Sequence, residues 1–309
     1  MTFINGLSLV NTLASNKRWR GYPNRTDVRF KDGILFPHVD PLWKFNWANT
    51  NVFTIGSCFA RNIEESLLKL GVTVPTQDFT ADALEWAFYK HPAHILNEYT
   101  PGTMSQRLNW AIEGRSANID NILQRPSGAG FDDQLLHAVG HPVTWDRALE
   151  RRADVDRLYS NLPQADLVII TLGLIEAWYD PSTGNYLNNM PKDFKRCMFK
   201  RFTVQESVNL LGPPIRRLTE RGQRVLLTVS PFPMTVTFTG EDCVVANEYS
   251  KNVLRVVAEE LRDGKMVDYF PSYEIVRSAG TAALQDDLIH PNDEMIDQVV
   301  SYMIRSYTQ

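Results

Sequence analysis

Two nearly continuous apolar stretches constrain the fold of this chain more than any other feature of its sequence. Residues 166–172 read Asp-Leu-Val-Ile-Ile-Thr-Leu, and residues 224–229 read Arg-Val-Leu-Leu-Thr-Val. A strand without hydrophobic alternation is apolar on both faces, so it belongs in a parallel sheet that helices cover on both sides. The sequence therefore predicts an α/β domain built around a buried parallel sheet.

Weaker strand and helix signals alternate along the rest of the chain. Residues 51–55 form a short β-rich run that ends at Gly56, and residues 72–74 and 265–270 are weaker strand candidates. Helical spacing of apolar residues predicts helices over 58–70, 146–161, 204–221 and 246–262, and a last helix that begins at Pro291. Alternating strands and helices predict three layers with the sheet in the middle.

The chain divides into an N-terminal arm and one larger domain. Residues 1–48 contain scattered prolines and aromatic residues, which is enough apolar surface for an arm packed on the domain. Residues 49–309 carry the alternating pattern, and residues 80–160 interrupt it with helical pieces and loops. That stretch is too long for a simple crossover, so we expect a helical insertion or cap between the second and third strands.

Charge and cysteine content exclude several function classes. The chain has 32 basic and 36 acidic residues, a net charge of −4, and its basic runs, such as residues 17–20, are short. A nucleic-acid-binding protein would usually show a basic stripe, so no nucleic-acid partner is expected. The three cysteines form no CxxC pair, which is typical of free thiols in a reducing compartment.

The sequence shows no targeting or membrane-spanning segment. Its first residues lack the basic region and the sustained apolar core of a secretory signal. No run of about 18 apolar residues occurs, so no helix is expected to span a membrane. These observations predict a soluble cytoplasmic protein.

Ser57 is the first candidate for chemistry, because it follows a strand and Gly56 and opens a helix. A helix N-terminus stabilises negative charge, as the oxyanion of an acyl-transfer intermediate requires. Serine is also a common N-cap, although Ala60 stands where the Glu of a capping box would be. Cys58 could serve as the nucleophile instead, since thiolates at helix N-termini are activated. The register of the strand turn favours Ser57.

Asp287 and His290 are a second candidate group, three residues apart and just before the last predicted helix. In a turn, Asp287 can accept a hydrogen bond from Nδ1 of His290. That bond fixes the tautomer and leaves Nε2 free as a base, as in a serine triad. The alternative is a surface Asp-x-x-His cap ahead of a helix.

Glu176 and Trp178 follow the strand at 166–172. The carboxylate could orient a sugar hydroxyl, and the indole could stack on a pyranose face. The alternative is a salt bridge and an aromatic residue at the rim of a site. No P-loop and no dinucleotide-binding glycine pattern occurs, so no cofactor is expected.

Two histidine pairs, His91/His94 and His137/His141, have spacings that metal ligands use. Pro92 and Gly140 interrupt any helix there, and no Glu or Cys completes a zinc motif. No metal site is expected.

These segments resemble the GSCFA family over roughly residues 50–305. Residues 56–60 spell Gly-Ser-Cys-Phe-Ala, and further matches lie at 171–178, 228–231, 247–251, 269–274 and 287–291. The GSCFA family is similar in layout to the SGNH (GDSL-like) hydrolases, which have a doubly wound sheet, a serine after the first strand and a C-terminal Asp-x-x-His. The resemblance implies that Ser57 is the nucleophile and that Asp287 and His290 are its partners.

The chain departs from the SGNH pattern at the oxyanion hole. SGNH enzymes place an Asn, in Gly-x-Asn-Asp, after the third strand, whereas residues 173–176 read Gly-Leu-Ile-Glu. The expected donors are therefore the amides of Ser57 and Gly173, with Gly102 as the counterpart of a second SGNH glycine. Losing one oxyanion donor typically costs about 3–4 kcal/mol of transition-state stabilisation.

The resemblance and the candidate residues together predict serine-dependent O-acyl ester chemistry on a carbohydrate or polysaccharide precursor. SGNH-like proteins include esterases and O-acyltransferases. A cytoplasmic location favours a role in polysaccharide synthesis with a soluble acyl donor such as acyl-CoA. The alternative from another class is a non-catalytic glycan-binding or assembly protein that retains the fold, which the missing Asn supports.

Overall fold

A computed structural model describes residues 5–15, 19–86, 91–137 and 142–309. Strands β1–β11 run over Phe30–Lys31, Ile34–Leu35, Val52–Gly56, Ile122–Gln124, Phe131–Asp133, Leu167–Leu172, Glu176–Asp180, Asn185–Leu187, Met198–Arg201, Arg224–Val229 and Val267–Tyr269. Helices α1–α9 run over Gly6–Ser15, Cys58–Leu68, Ala83–Trp86, Pro101–Glu113, Trp145–Tyr159, Val204–Glu220, Cys243–Leu261, Ser272–Ala279 and Asp293–Ser306.

The central sheet is parallel and has the order β11-β10-β6-β3. On the free side of β3, the stretch predicted as a second strand is reduced to one parallel bridge between Asn51 and Thr73. The strand cannot continue because Val74 leads into a 3-10 helix that starts with Pro75. With that bridge counted, the chain order across the sheet is 2-1-3-4-5, which confirms the predicted doubly wound topology.

Two hydrophobic cores flank the sheet, and alternate residues of each strand enter one or the other. Every residue of β3 and β6 is buried, as their continuous apolar sequences predict. Val168 and Ile170 of β6 pack with α4, α5, α6 and α7. Leu167 and Ile169 pack with α2, α8 and α9. The sheet is therefore the middle of three layers.

The N-terminal segment packs against the last helix. Trp43, Phe45 and Trp47 are buried in the core on the α2/α9 side. The ring of Trp43 lies 5.2 Å from that of Tyr307, and Phe45 exchanges backbone hydrogen bonds with the chain end. The described residues between 80 and 160 form α3, α4, the antiparallel hairpin β4–β5 and α5.

Two features differ from the sequence prediction. The last helix begins at Asp293 rather than Pro291, because the side chain of Asn292 accepts the Met295 N–H and caps it. A three-stranded antiparallel sheet, ordered β8-β7-β9, lies outside the predicted pattern. In the described part of the chain, no helix is long and apolar enough to cross a bilayer.

Candidate active site

Ser57 lies at the topological switch point of the sheet. β3 and β6 are neighbours, but the chain leaves β3 towards Thr73 on one side and leaves β6 towards β10 on the other. In doubly wound sheets, ligands bind at this point, outside the carboxyl ends of the strands. Ser57 is the first residue after β3 and directly precedes α2.

Gly56 allows β3 to approach β6 closely just before Ser57. Its φ is +143°, and a Cβ at this position would lie 2.2 Å from Oγ1 of Thr171. Only glycine accommodates both the dihedral angle and the contact. The close approach places the Ser57 N–H 2.9 Å from the same Thr171 oxygen, to which it donates.

The Ser57 side chain is not used as a helix cap. Ser57 occupies the N-cap position of α2, yet its hydroxyl makes no capping hydrogen bond. The hydroxyl lies 3.4 Å from Oγ1 of Thr171, and the residue is only 2% exposed. The capping interpretation therefore does not account for this serine.

Asp287 and His290 form the hydrogen-bonded pair that their spacing predicts. Nδ1 of His290 lies 2.5 Å from Oδ2 of Asp287, whose Oδ1 accepts the backbone N–H groups of Ile289 and His290 at 2.9 Å each. These bonds lower the pKa of Asp287 to about 2, and the bond to the His290 ring contributes most. The pairing leaves Nε2 of His290 as the proton acceptor.

The turn that carries this pair is strained. Leu288 has φ +57° although it is not glycine, and its N–H donates to Gln285 at 2.9 Å. Such a conformation costs about 1–2 kcal/mol and is often found at functional sites. The side chains of Asp287 and His290 are 42% and 49% exposed, so the pair opens to solvent.

The structure does not bring His290 and Ser57 into hydrogen-bond contact. Among the described residues, the Ser57 hydroxyl contacts Thr171, whereas the His290 ring meets Phe232 edge-on with centroids 5.5 Å apart. The Phe232 ring lies 6.4 Å from that of Phe59, in the first turn of α2. An aromatic ring therefore connects the two parts of the candidate site.

The amides predicted to form the oxyanion hole are engaged elsewhere. Gly173 packs against Ser57, since a Cβ on Gly173 would lie 3.4 Å from Cβ of Ser57. Its N–H, however, donates to the carbonyl of Tyr99 at 3.2 Å, and the Ser57 N–H donates to Thr171. In this arrangement neither amide points to an empty oxyanion position.

Gly102 serves helix packing. It lies in the first turn of α4, where a Cβ would come within 2.5 Å of the Tyr186 ring on β8. The absence of a side chain lets α4 pack closely against β8. No described contact joins Gly102 to Ser57.

Lys251, on α7, is the residue near this site that sequence reasoning missed. It is 1% exposed, and its Nζ donates to the carbonyl of Gly173 at 2.7 Å. Burial lowers the pKa of Lys251 to about 7. The sequence does indicate that Lys251 is buried, because it lies on the apolar face of the predicted helix. Leu254 follows it by three residues and Ala258 by seven.

Cys58 is a weaker nucleophile than its position suggests. Its Sγ lies 3.2 Å from the Tyr99 hydroxyl and 3.4 Å from Nδ2 of Asn97. Burial raises the pKa of the thiol, and the hydrogen bond to Tyr99 opposes that shift only in part. A thiol that remains protonated reacts poorly, because the thiolate is the nucleophile.

Sequence comparison identifies the family. A GSCFA family profile matches residues 51–302, which is most of the chain. The chain belongs to the GSCFA family. No curated protein matches this GSCFA sequence.

Two solved structures are similar to the GSCFA chain. One is a carbohydrate esterase family 3 protein from Talaromyces cellulolyticus, with 11% identity and a TM-score of 0.37. The other is an acetyl esterase variant with acetate, with 10% identity and a TM-score of 0.36. Each alignment covers 83% of the GSCFA chain and 95% of the other chain. At this level of similarity, neither bears on the activity of the GSCFA chain.

The predicted substrate residues of the GSCFA chain, Glu176 and Trp178, lie on β7. Both carboxylate oxygens of Glu176 accept hydrogen bonds from the loop after β10, from the Thr237 hydroxyl at 2.7 Å and the Phe238 N–H at 3.0 Å. Trp178 meets three phenylalanine rings edge-on, those of Phe194, Phe199 and Phe238. Glu176 therefore anchors a loop, and Trp178 is part of an aromatic cluster.

Glu176 and Trp178 nevertheless line one cavity. Its volume is about 270 Å³, and Tyr99 and His137 also line it. Leu174, which follows Gly173, forms part of the wall. Ser57 is not among the lining residues, so the cavity lies beside the serine rather than around it.

The histidines predicted not to bind metal have other contacts. Nδ1 of His91 accepts the N–H of Ala93 and caps a 3-10 helix. His94 lies within hydrogen-bond distance of a neighbouring amide, and burial lowers the pKa of His137 to about 4. His141 lies outside the described residues.

Proposed function

We propose that this GSCFA protein carries out serine-dependent O-acyl ester chemistry, with Ser57 as nucleophile and His290, oriented by Asp287, as general base. The observation that carries the proposal is the 2.5 Å bond between Asp287 and His290 on the loop before α9. It holds the imidazole in the tautomer that accepts a proton at Nε2. The hydroxyl of Ser57, which caps nothing, is the matching nucleophile at the switch point.

In the proposed reaction, Nε2 of His290 takes the proton of the Ser57 hydroxyl as Oγ adds to the ester carbonyl. Collapse of the tetrahedral intermediate expels the alcohol, which receives that proton, and leaves an acyl-serine. Water or a second alcohol then attacks the acyl group by the same proton route. The step requires His290 to approach Ser57, and catalytic hydrogen bonds often tighten only with substrate bound.

We propose that donors besides those predicted from the sequence stabilise the oxyanion. The amides of Ser57 and Gly173 are engaged, and the Ala60 N–H donates to the Ser57 carbonyl. The other two amides of the first turn of α2, those of Cys58 and Phe59, have no intrahelical acceptor. The positive end of that helix also favours a negative charge beside Ser57. We therefore assign oxyanion stabilisation to the N-terminus of α2.

A carbohydrate or polysaccharide precursor is the proposed substrate. The cavity of about 270 Å³ beside Ser57 offers aromatic walls, including Tyr99 and Trp178, and polar groups. Aromatic walls with a few polar groups suit the apolar faces and hydroxyls of a sugar. A sugar hydroxyl held there could accept an acyl group from a soluble donor such as acyl-CoA. The three free cysteines, Cys58, Cys197 and Cys243, support a cytoplasmic location for the reaction.

A second candidate function is non-catalytic glycan binding. The engaged amides of Ser57 and Gly173 and the absence of a contact between Ser57 and His290 favour it. Such a protein would use the cavity at Trp178 without cleaving any bond. It would bind glycans equally well after Ser57→Ala.

Hydrolysis of an aryl acetate tests the ester chemistry without the natural acceptor. We expect slow turnover by the wild type that Ser57→Ala and His290→Gln each abolish, whereas Cys58→Ala, the neighbouring matched change, retains it. Addition of the right sugar should raise turnover and yield an acylated sugar, because the bound acceptor aligns its hydroxyl with the acyl-serine. Release of free acid alone, whatever sugar is added, would assign an esterase. Unchanged turnover in Ser57→Ala would contradict the proposal.

A further inference from the structure

Residues 6–11 of helix α1 are all exposed, and none of them belongs to either of the two hydrophobic cores that flank the sheet. Leu7 is 77% exposed and Val10 is 60% exposed. A helix of ten residues is marginal in water by itself, because helix nucleation is costly and packing supplies most helical stability. Binding of its exposed apolar residues to a surface would stabilise it.

The helix is amphipathic and uncharged. Leu7, Val10 and Ala14 recur at helical spacing on one side, and Asn5 and Ser8 lie on the other. The stretch from residue 1 to residue 16 contains no charged side chain. An apolar side without charges fits an apolar medium better than the charged surface of a soluble protein.

Basic residues follow the helix directly. The first 26 residues contain four basic side chains, Lys17, Arg18, Arg20 and Arg25, and no acidic one. The remaining chain, with 28 basic and 36 acidic residues, has a formal charge of −8. Arg20 and Arg25 are exposed and form no ion pair with the described residues. The segment that contains and follows α1 thus carries a net positive charge in an otherwise acidic protein.

The helix is tethered at a short distance from the folded domain. The ring of Trp19 stacks on that of His38 with centroids 4.4 Å apart, and only residues 16–18 separate Trp19 from α1. Tyr22, which follows, is 89% exposed. A surface that binds α1 would therefore also meet the basic residues and this tyrosine.

We propose that α1 binds in the plane of an anionic lipid surface. Leu7 and Val10 enter the boundary between headgroups and acyl chains, as the apolar faces of interfacial helices do. Arg20 and Arg25 meet the anionic headgroups. The protein would be held at a membrane without spanning it, and this inference does not depend on the ester chemistry at Ser57.

Vesicle flotation of the full chain tests this proposal. We expect binding to vesicles of equimolar phosphatidylcholine and phosphatidylglycerol, weaker binding to phosphatidylcholine alone, and a loss of binding as salt is raised. The double change Leu7→Glu and Val10→Glu should weaken binding at least about a hundredfold, since two apolar side chains leave the lipid. The matched control is Val256→Glu, at a site on α7 that is 47% exposed and distant in sequence from α1 and its basic residues, and it should bind as the wild type does.

Charge reversal and hydrogen exchange complete the test. Arg20→Glu with Arg25→Glu should weaken binding at least about thirtyfold, whereas Arg216→Glu, at an exposed site on α6, should not. Amides of residues 6–15 should become protected when vesicles are added. Absence of vesicle binding, or equal binding by the Leu7/Val10 variant, would overturn the proposal. So would protection of α1 in a concentration-dependent dimer without lipid, because the partner of the helix would then be a second copy.

Discussion

The buried ammonium group of Lys251 donates a hydrogen bond to the carbonyl of Gly173 at 2.7 Å, and Gly173 packs against Ser57. Among the described residues it has no carboxylate within ion-pair distance, and the attraction of Glu248 only partly opposes the lowering of its pKa by burial. A buried cation without a carboxylate partner is costly, and groups with such perturbed pKa values concentrate at functional sites. Lys251 thus positions the loop that follows β6.

The first prediction concerns the pH dependence of stability. Lys251 has a pKa of about 7 in the folded protein and about 10.4 in the unfolded chain. Between these values the unfolded state binds more protons, so the Lys251 contribution to the free energy of unfolding rises with pH by up to about 1.4 kcal/mol per pH unit. Lys251→Met removes that dependence. In urea unfolding at about pH 7 and about pH 9, the free energy of unfolding of the wild type should increase relative to that of the variant as pH rises. Parallel pH profiles would mean that the lysine is not buried as described.

The second prediction concerns the contact between β3 and β6. Gly56→Ala places a Cβ 2.2 Å from Oγ1 of Thr171 and forces alanine to φ +143°, so we expect a loss of about 3 kcal/mol or more. Gly71→Ala is the matched control, since Gly71 has φ +74° but nothing within 4 Å. It should lose only about 1 kcal/mol from the dihedral angle alone. Equal losses in urea unfolding would show that the β3–β6 contact is looser than described.

The third prediction tests whether Asp287 acts by orienting the His290 ring or only by its negative charge. Asp287→Asn keeps the shape of the side chain but disturbs the tautomer of His290, so the rate of ester cleavage should fall about a hundredfold or more. The pKa of Asp287 is about 2, so its carboxylate stays ionised at working pH. The variant should therefore lower the rate at every pH without changing the shape of the rate–pH profile. Asp286→Asn, at the exposed neighbouring residue, should leave the rate unchanged. An equal loss in both variants would point to a general charge effect.

The sequence predicts the central sheet well because its strands are buried on both faces. The runs at 166–172 and 224–229 lack alternation, and β6 and β10 lie within those limits. The sheet β8-β7-β9 escapes prediction because its short strands mix polar and aromatic residues, as in Glu176–Asp180. The domain boundaries at residues 48, 80 and 160 remain predictions.

The candidate site is predictable where its geometry is local. The spacing of Asp287 and His290 is enough to predict their hydrogen bond, because both lie in one turn. The N–H of Ser57 is engaged by Thr171, which comes from a neighbouring strand, and no pattern around Ser57 indicates that contact. The same holds for Gly173 and Tyr99. Contacts between distant segments decide which amides remain free, and these require the structure.

Labelling with a fluorophosphonate probe, followed by identification of the modified peptide, shows directly whether Ser57 is the nucleophile. We expect that the wild type is labelled on Ser57, that His290→Gln is labelled much more slowly because the base is lost, and that Ser57→Ala is not labelled. Ser57→Ala should remain folded, since the Ser57 hydroxyl caps no helix and, among the described residues, hydrogen-bonds only to Thr171, at 3.4 Å. Labelling of Cys58, or labelling that persists in folded Ser57→Ala, would contradict the assignment of Ser57 as the nucleophile.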